Sequence, residues 1–316
     1  MRSDSHRILR VCSSILTLAL AIAVLSGLNK RSASGSTTRL AGRQSPANSG
    51  LPLRHYREGE NLTYLMKGVN ESWHYEIGTD GIVRKAADGS YFEEYAWSDL
   101  RSNGQAVTLP ASTMKFRQQL TLDPNHSVGL PNLGQIDPRL IGPVTDMLTF
   151  YVDVRLAAST GKLMHAGDRV YVKRGTPASW ADGSHVLLGQ SSIDFDFTLE
   201  SIDHSKNTVT LLARHVPPEA PQVKLPTDWM QKSVADSRNN WVQVQKTAGG
   251  KYLAAVGKET FDDQIVLSLS NGEILSATMD NTVQTVEREC SDAAASQCGE
   301  PKPHLIKREI EISLGR

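Results

Sequence analysis

Cysteine is nearly missing from this chain, with three in 316 residues. That excludes the disulfide-dense scaffolds on which small secreted domains rely. Aromatic residues are scarce, at 6%. Neither sign of charge is in excess: 34 Lys plus Arg stand against 34 Asp plus Glu. Nucleic-acid binders usually carry a basic surplus, so no nucleic-acid partner is expected. The apolar share is 39% and the charged share 22%, which is a globular composition rather than a disordered one.

Chemical signatures are missing too. No G-x-S-x-G elbow offers a serine nucleophile. No H-x-H or H-E-x-x-H pattern gathers the nine His, which lie at positions 6, 55, 74, 126, 165, 185, 204, 215 and 304. No G-x-G-x-x-G or G-x-x-x-x-G-K-[ST] loop cradles a phosphate, and no D-x-D-x-D-G loop holds calcium. His165 with Asp168, and Asp203-His204, read as a strand entry and a solvated turn. Three carboxylate pairs remain, Glu93-Glu94, Asp194/Asp196 and Asp262-Asp263. A working pair of carboxyls is defined in space and not along the chain, so none of these marks a glycosidase. The sequence therefore nominates no catalytic, metal or cofactor residue.

One long apolar run is present. Val11–Leu28 carries no charge, follows Arg2, Arg7 and Arg10, and is closed by Lys30 and Arg31. Eighteen helical residues span about 27 Å, close to the hydrocarbon thickness of a bilayer. The pattern fits a signal peptide, with Ala21-Ile22-Ala23 as the small residues at a cleavage site, or an uncleaved anchor, which is favoured. Cys12 precedes most of the run and follows Val11, so it lacks the setting of a lipidated cysteine. Cys290 and Cys298, in CSDAAASQC, are spaced to close a small loop by a disulfide in an oxidising compartment. The expected location is the cell envelope, with the body beyond the inner membrane, or outside the cell if the segment is removed.

Residues 29–52, rich in Ser, Gly, Ala and Thr, read as a flexible linker. A first β section with a closing helix is expected over 53–158, and a second β section over 159–316. In the first, Asn61–Met66, Trp73–Ile77, Ile82-Val83, Tyr91–Trp97 and Thr113–Leu122 read as strands, with turns at Thr79-Asp80-Gly81 and Asp88-Gly89. Apolar spacing predicts an amphipathic helix over Thr145–Ala158, with Pro143 tolerated only in a first turn. In the second section, Asp168–Lys173 and Val186–Leu188 are short strands. Ile193–Ile202 alternates apolar and polar residues and pairs with Thr208–His215 across DHSKN. A short helix is expected within Lys224–Asn239. Trp241–Gln245, Lys251–Val256, Gln264–Ser270, Glu273–Asp280, Thr282–Glu287 and Leu305–Leu314 complete the strands, with a type I′ turn at Asn271-Gly272.

The fold class is thus mainly β: an antiparallel meander or curved sheets, in one piece or two lobes, with one or two short helices behind an N-terminal membrane or signal helix. Trp73, Tyr75, Tyr91, Phe92, Tyr95 and Trp97 are expected in the core rather than along a ligand groove. The favoured function is a non-enzymatic envelope protein whose β body binds a lipid-like ligand or an envelope partner. The alternatives are a structural protein acting by strand pairing, and a hydrolase assembled from distant residues.

Overall fold

A computed structural model describes residues 50–126, 133, 136–173, 194–216, 227–236, 239–247 and 249–315. The described residues are mainly antiparallel β, 52% of them in strands. The elements are β1 (Asn61–Asn70), β2 (Trp73–Lys85), β3 (Tyr91–Ser102), β4 (Gln105–Ala106), α1 (Ala111–Lys115), β5 (Gln118–Leu120), α2 (Pro138–Ser159), β6 (Arg169–Val172), β7 (Asp194–Asp203), β8 (Thr208–Val216), α3 (Asp228–Gln231), β9 (Trp241–Lys246), β10 (Tyr252–Ser268), β11 (Ile274–Cys290) and β12 (Lys302–Gly315).

All twelve described strands belong to one sheet, in the order β4-β3-β2-β1-β12-β11-β10-β8-β7-β6, with β5 beside β3 and β9 beside β10. The β1–β12 ladder, which runs from Thr63↔Gly315 to Asn70↔Arg308, joins the two β sections within that sheet. Folding begins slightly earlier than the expected linker boundary, because the N–H groups of Gly50 and Leu51 bond to the carbonyls of Met164 and Leu163.

The sheet packs around α2. Leu140, Leu148, Leu156, Thr149 and Phe150, which point to successive sides of the helix, are all buried. The leucines and Phe150 share one apolar cluster with Met66, Ile77, Trp97, Phe197, Leu211, Ile265, Met279 and Ile312 from eight strands. A helix buried around its circumference by a single sheet requires that sheet to curve. The helix expected to be amphipathic over Thr145–Ala158 is instead buried on all sides. It is also longer: Asp137 caps it, accepting from the Arg139 N–H at 3.0 Å, Pro138 takes the first position, and Pro143 lies inside.

Four other expectations change. The turn at Thr79-Asp80-Gly81 is the middle of β2, and Gly81 is there because the Tyr95 ring lies across it. A Cβ on Gly81 would stand 2.2 Å from that ring. The two strand pairs proposed over Lys251–Ser270 and Glu273–Glu287 are single strands of 17 residues each. Thr113–Leu122 is split into α1 and β5. At Asn271-Gly272 only the glycine has positive φ, so the turn is not type I′. The β7–β8 hairpin forms as expected, with Phe195, Phe197 and Leu199 buried on one face. Tyr75, Tyr95 and Trp97 are core residues, as expected. Residues 1–49, the expected strand Val186–Leu188 and Ile193 lie outside the described residues. Among those described, no helix is long and apolar enough to cross a membrane.

Candidate functional site

Three polar centres lie between α2 and the sheet. Asp146 and Asp153, seven residues apart, share one helix face two turns apart, and both are buried. Arg308 of β12 donates to both Asp146 oxygens, at 2.7 Å for Oδ1, and to Asn281 Oδ1 at 3.1 Å. Asn281 Nδ2 in turn reaches the Thr260 carbonyl at 2.9 Å and Glu259 Oε1 at 3.3 Å. Burial pushes the Asp146 carboxyl above its ordinary value, against the pull of Arg308.

The second centre is Asp153 with His215 of β8 and Asp263 of β10. His215 Nε2 lies 2.8 and 2.9 Å from the two Asp153 oxygens. One donor atom from each of the three residues fits within 4.8 Å of the others, and all three residues are buried. Cross-strand pairing places the rings: Phe195, His215 and Phe261 form one row across β7, β8 and β10. The Phe195 and Phe261 rings flank the imidazole at 4.6 and 4.9 Å. In the next row Ala213 faces Asp263, and its small side chain leaves room there. Neither Asp263 oxygen meets an N–H or O–H donor. Burial first, and the Asp153 charge second, hold its carboxyl well above the ordinary value.

The third centre is Glu93 of β3. It accepts from Arg54 Nε at 3.2 Å, from Tyr95 Oη at 2.9 Å and from the Tyr151 hydroxyl. Burial raises its carboxyl, and Arg54 opposes the rise.

Beyond Phe261 and Arg308 the sheet narrows to β9, β10, β11 and β12, because β8 pairs with β10 only over Phe261–Ser268 and β1 with β12 only from Arg308. Cys290 and Cys298 are joined there by the expected disulfide. The Trp229 indole N–H bonds to the Ala295 carbonyl inside the closed loop, at 2.9 Å. Among the described residues no strand pairs with the outer edge of Lys302–Ile306, and Leu305 on it is 52% exposed. On the sheet face away from α2, a groove of about 630 Å³ runs past Lys67, Glu76, Arg101, Asp280 and Glu309.

Strand alternation explains the fate of the carboxylate pairs. Glu93 and Asp263 point inward, whereas Glu94 meets Arg84 and Asp262 meets Arg214 on the outside. Asp194 and Asp196 do not act together: Asp194 accepts from Tyr171 Oη at 2.6 Å, and Asp196 pairs with Arg169. His165 and Asp168 sit together at the entry to β6, exposed. The Asp153–His215–Asp263 centre has no linear motif, since its members come from a helix and two strands. No known family model matches the chain, and no curated protein matches it significantly.

Proposed function

We propose that this protein is a non-enzymatic, exported module of the cell envelope that binds a partner protein by strand addition at the open edge of β12. The observation that carries this reading is the outer edge of the β12 end at Lys302–Ile306, which no strand among the described residues joins, with Leu305 half exposed on it. An exposed edge offers backbone donors and acceptors to an incoming strand, and a neighbouring side chain gives selectivity. Pro303, Lys302 and Lys307 are residues that guard an edge against indiscriminate pairing. The N-terminal apolar run and the Cys290–Cys298 disulfide support export and, with the anchor retained, a body displayed from the inner membrane.

The carrier reading is weaker, because the side of the sheet where an acyl chain would lie is taken by α2. The hydrolase reading is weaker too. Asp153, His215 and Asp263 are 0%, 1% and 3% exposed, so the cluster of acids and imidazole is sealed from substrate.

A photo-crosslinking residue at Leu305 of the full chain, in living bacterial cells, tests the reading against the same residue at Met114, which is 50% exposed on α1. The expected result is one discrete protein adduct at 305, absent at 114 and competed by a strand peptide copied from the captured partner. Matching adduct patterns at both positions, or a purified chain whose native mass includes bound lipid, would overturn it.

A further inference from the structure

We propose that Asp153, His215 and Asp263 together bind one divalent first-row transition-metal ion of the zinc class, and that this ion fastens α2 to β8 and β10. The inference is independent of the binding function proposed above.

Four observations carry it. The ligand types are right, since an imidazole with carboxylates is a set that zinc-class ions accept. The count is right as well: Asp153 turns both oxygens toward His215 Nε2, so three side chains supply four donor atoms. The spacing is close. Two donors each about 2.1 Å from one ion stand roughly 3 to 4 Å apart. The observed 2.8 and 2.9 Å separations fall just short of that range, and since the three donors lie within 4.8 Å of one another, less than about 1 Å of movement brings Asp263 into it.

The last observation is charge and pairing. Asp263 is 3% exposed, neither of its oxygens has a hydrogen-bond donor, and one of them lies within reach of Asp153 and His215. The adjoining Arg308 does not serve it, being bonded to Asp146 and Asn281. Two buried carboxylates beside one imidazole therefore form a site whose missing component is positive. A divalent cation cancels both charges, with the imidazole neutral as a ligand must be. The Phe195 and Phe261 rings close the flanks of the imidazole and keep water away, which strengthens the attraction. With every ligand buried the ion is structural: it holds a helix to the sheet and offers no position to substrate.

The test uses the full chain, purified in mild detergent from cells grown with added zinc and manganese salts. Elemental analysis should find roughly one metal equivalent per chain, and Asp263→Asn should lower the content at least about tenfold and lower the melting temperature. X-ray absorption at the metal edge should show nitrogen and oxygen neighbours without sulfur. That measurement stands even if the variant fails to fold. Three results would overturn the proposal. One is a metal-free chain whose Asp263→Asn variant melts higher, the mark of two carboxyls sharing a proton. The others are an unchanged metal content in Asp263→Asn, and sulfur ligation.

Discussion

The two ends of this sheet are stabilised in different ways. At the wide end, strands β1–β3, β7 and β8 curve with the shared strands around α2, and one apolar cluster runs through helix and sheet. That core holds buried charge as well, with Arg308 on Asp146 and Arg54 on Glu93. At the narrow end there are four strands and no long helix among the described residues. A small cluster of Met230, Val242, Val244, Ala254 and Val256 lies under a single turn of helix and a disulfide loop. Arg288 stacks on Trp229, 5.0 Å from the ring centroid, and holds that cover in place. The same three strands, β10, β11 and β12, run through both ends, so strand composition does not set the difference. What covers the strands does. A surface too small to bury much apolar area is closed covalently, whereas a large one tolerates ionised groups inside.

The largest expected effect comes from the helix. Phe150 is fully buried on α2, and Phe150→Ala should remove about 3–5 kcal/mol in a urea titration. Hydrogen exchange should place the loss in β1–β3, β7 and β8. Amides of β9, which open locally, should exchange as before. Equal loss at both ends would erase the distinction. Next is the disulfide, which closes a loop with a sequence separation of 8. Replacing Cys290 and Cys298 by Ser should cost about 2–3 kcal/mol on the loop-entropy argument. The cost should be read at the narrow end, as faster exchange in β9 and in residues 252–257 of β10. A fall in the wide-end midpoint as large as that of Phe150→Ala would mean that the sheet unfolds as one unit.

How much of this was legible in the sequence depended on range. The β7–β8 hairpin was legible because alternation and turn lie within one short segment. Asp137-Pro138 was legible in principle as a cap followed by proline at the first helical position, but the interior Pro143 masked it by suggesting a later start. Gly81 reads as a turn in the sequence because a glycine's reason for being there is elsewhere: Tyr95, on the neighbouring strand, occupies the space of its missing side chain. Asn281 looks like a break between two strands, yet it stays in the ladder because its amide bridges Arg308 and Glu259 in the interior. The Asp153–His215–Asp263 centre was illegible, because its members meet only once the sheet has closed on the helix. Alternation did carry a hint: in Glu93-Glu94 and Asp262-Asp263 one member of each pair had to face inward.

The smallest expected effect is a pH dependence of opposite sign at the two ends. Burial raises Glu93 and Asp146 above the ordinary values of 4.5 and 3.8. A carboxyl whose folded pKa lies above its unfolded one contributes stability fully below the unfolded value and loses it as pH rises through the folded value. At the narrow end, Lys251 holds Glu289 below 4.5, and hydrogen bonds led by that from Ser296 hold Asp292 below 3.8. Those contributions are present above the ordinary values and are lost as pH falls through the lowered ones. Both narrow-end groups are exposed, so solvent and salt keep their effect small. Hydrogen exchange at a series of pH values, corrected for intrinsic rates, should therefore show wide-end protection declining as pH rises above the carboxylate range. Protection around residues 289–298 should decline only as pH falls into it. Glu93→Gln should flatten part of the wide-end slope, since Arg54 keeps Glu60 as a partner at 2.8 Å. A wide-end slope unchanged by Glu93→Gln would transfer it to Asp146, and a slope of one sign at both ends would show that the buried charges do not distinguish them.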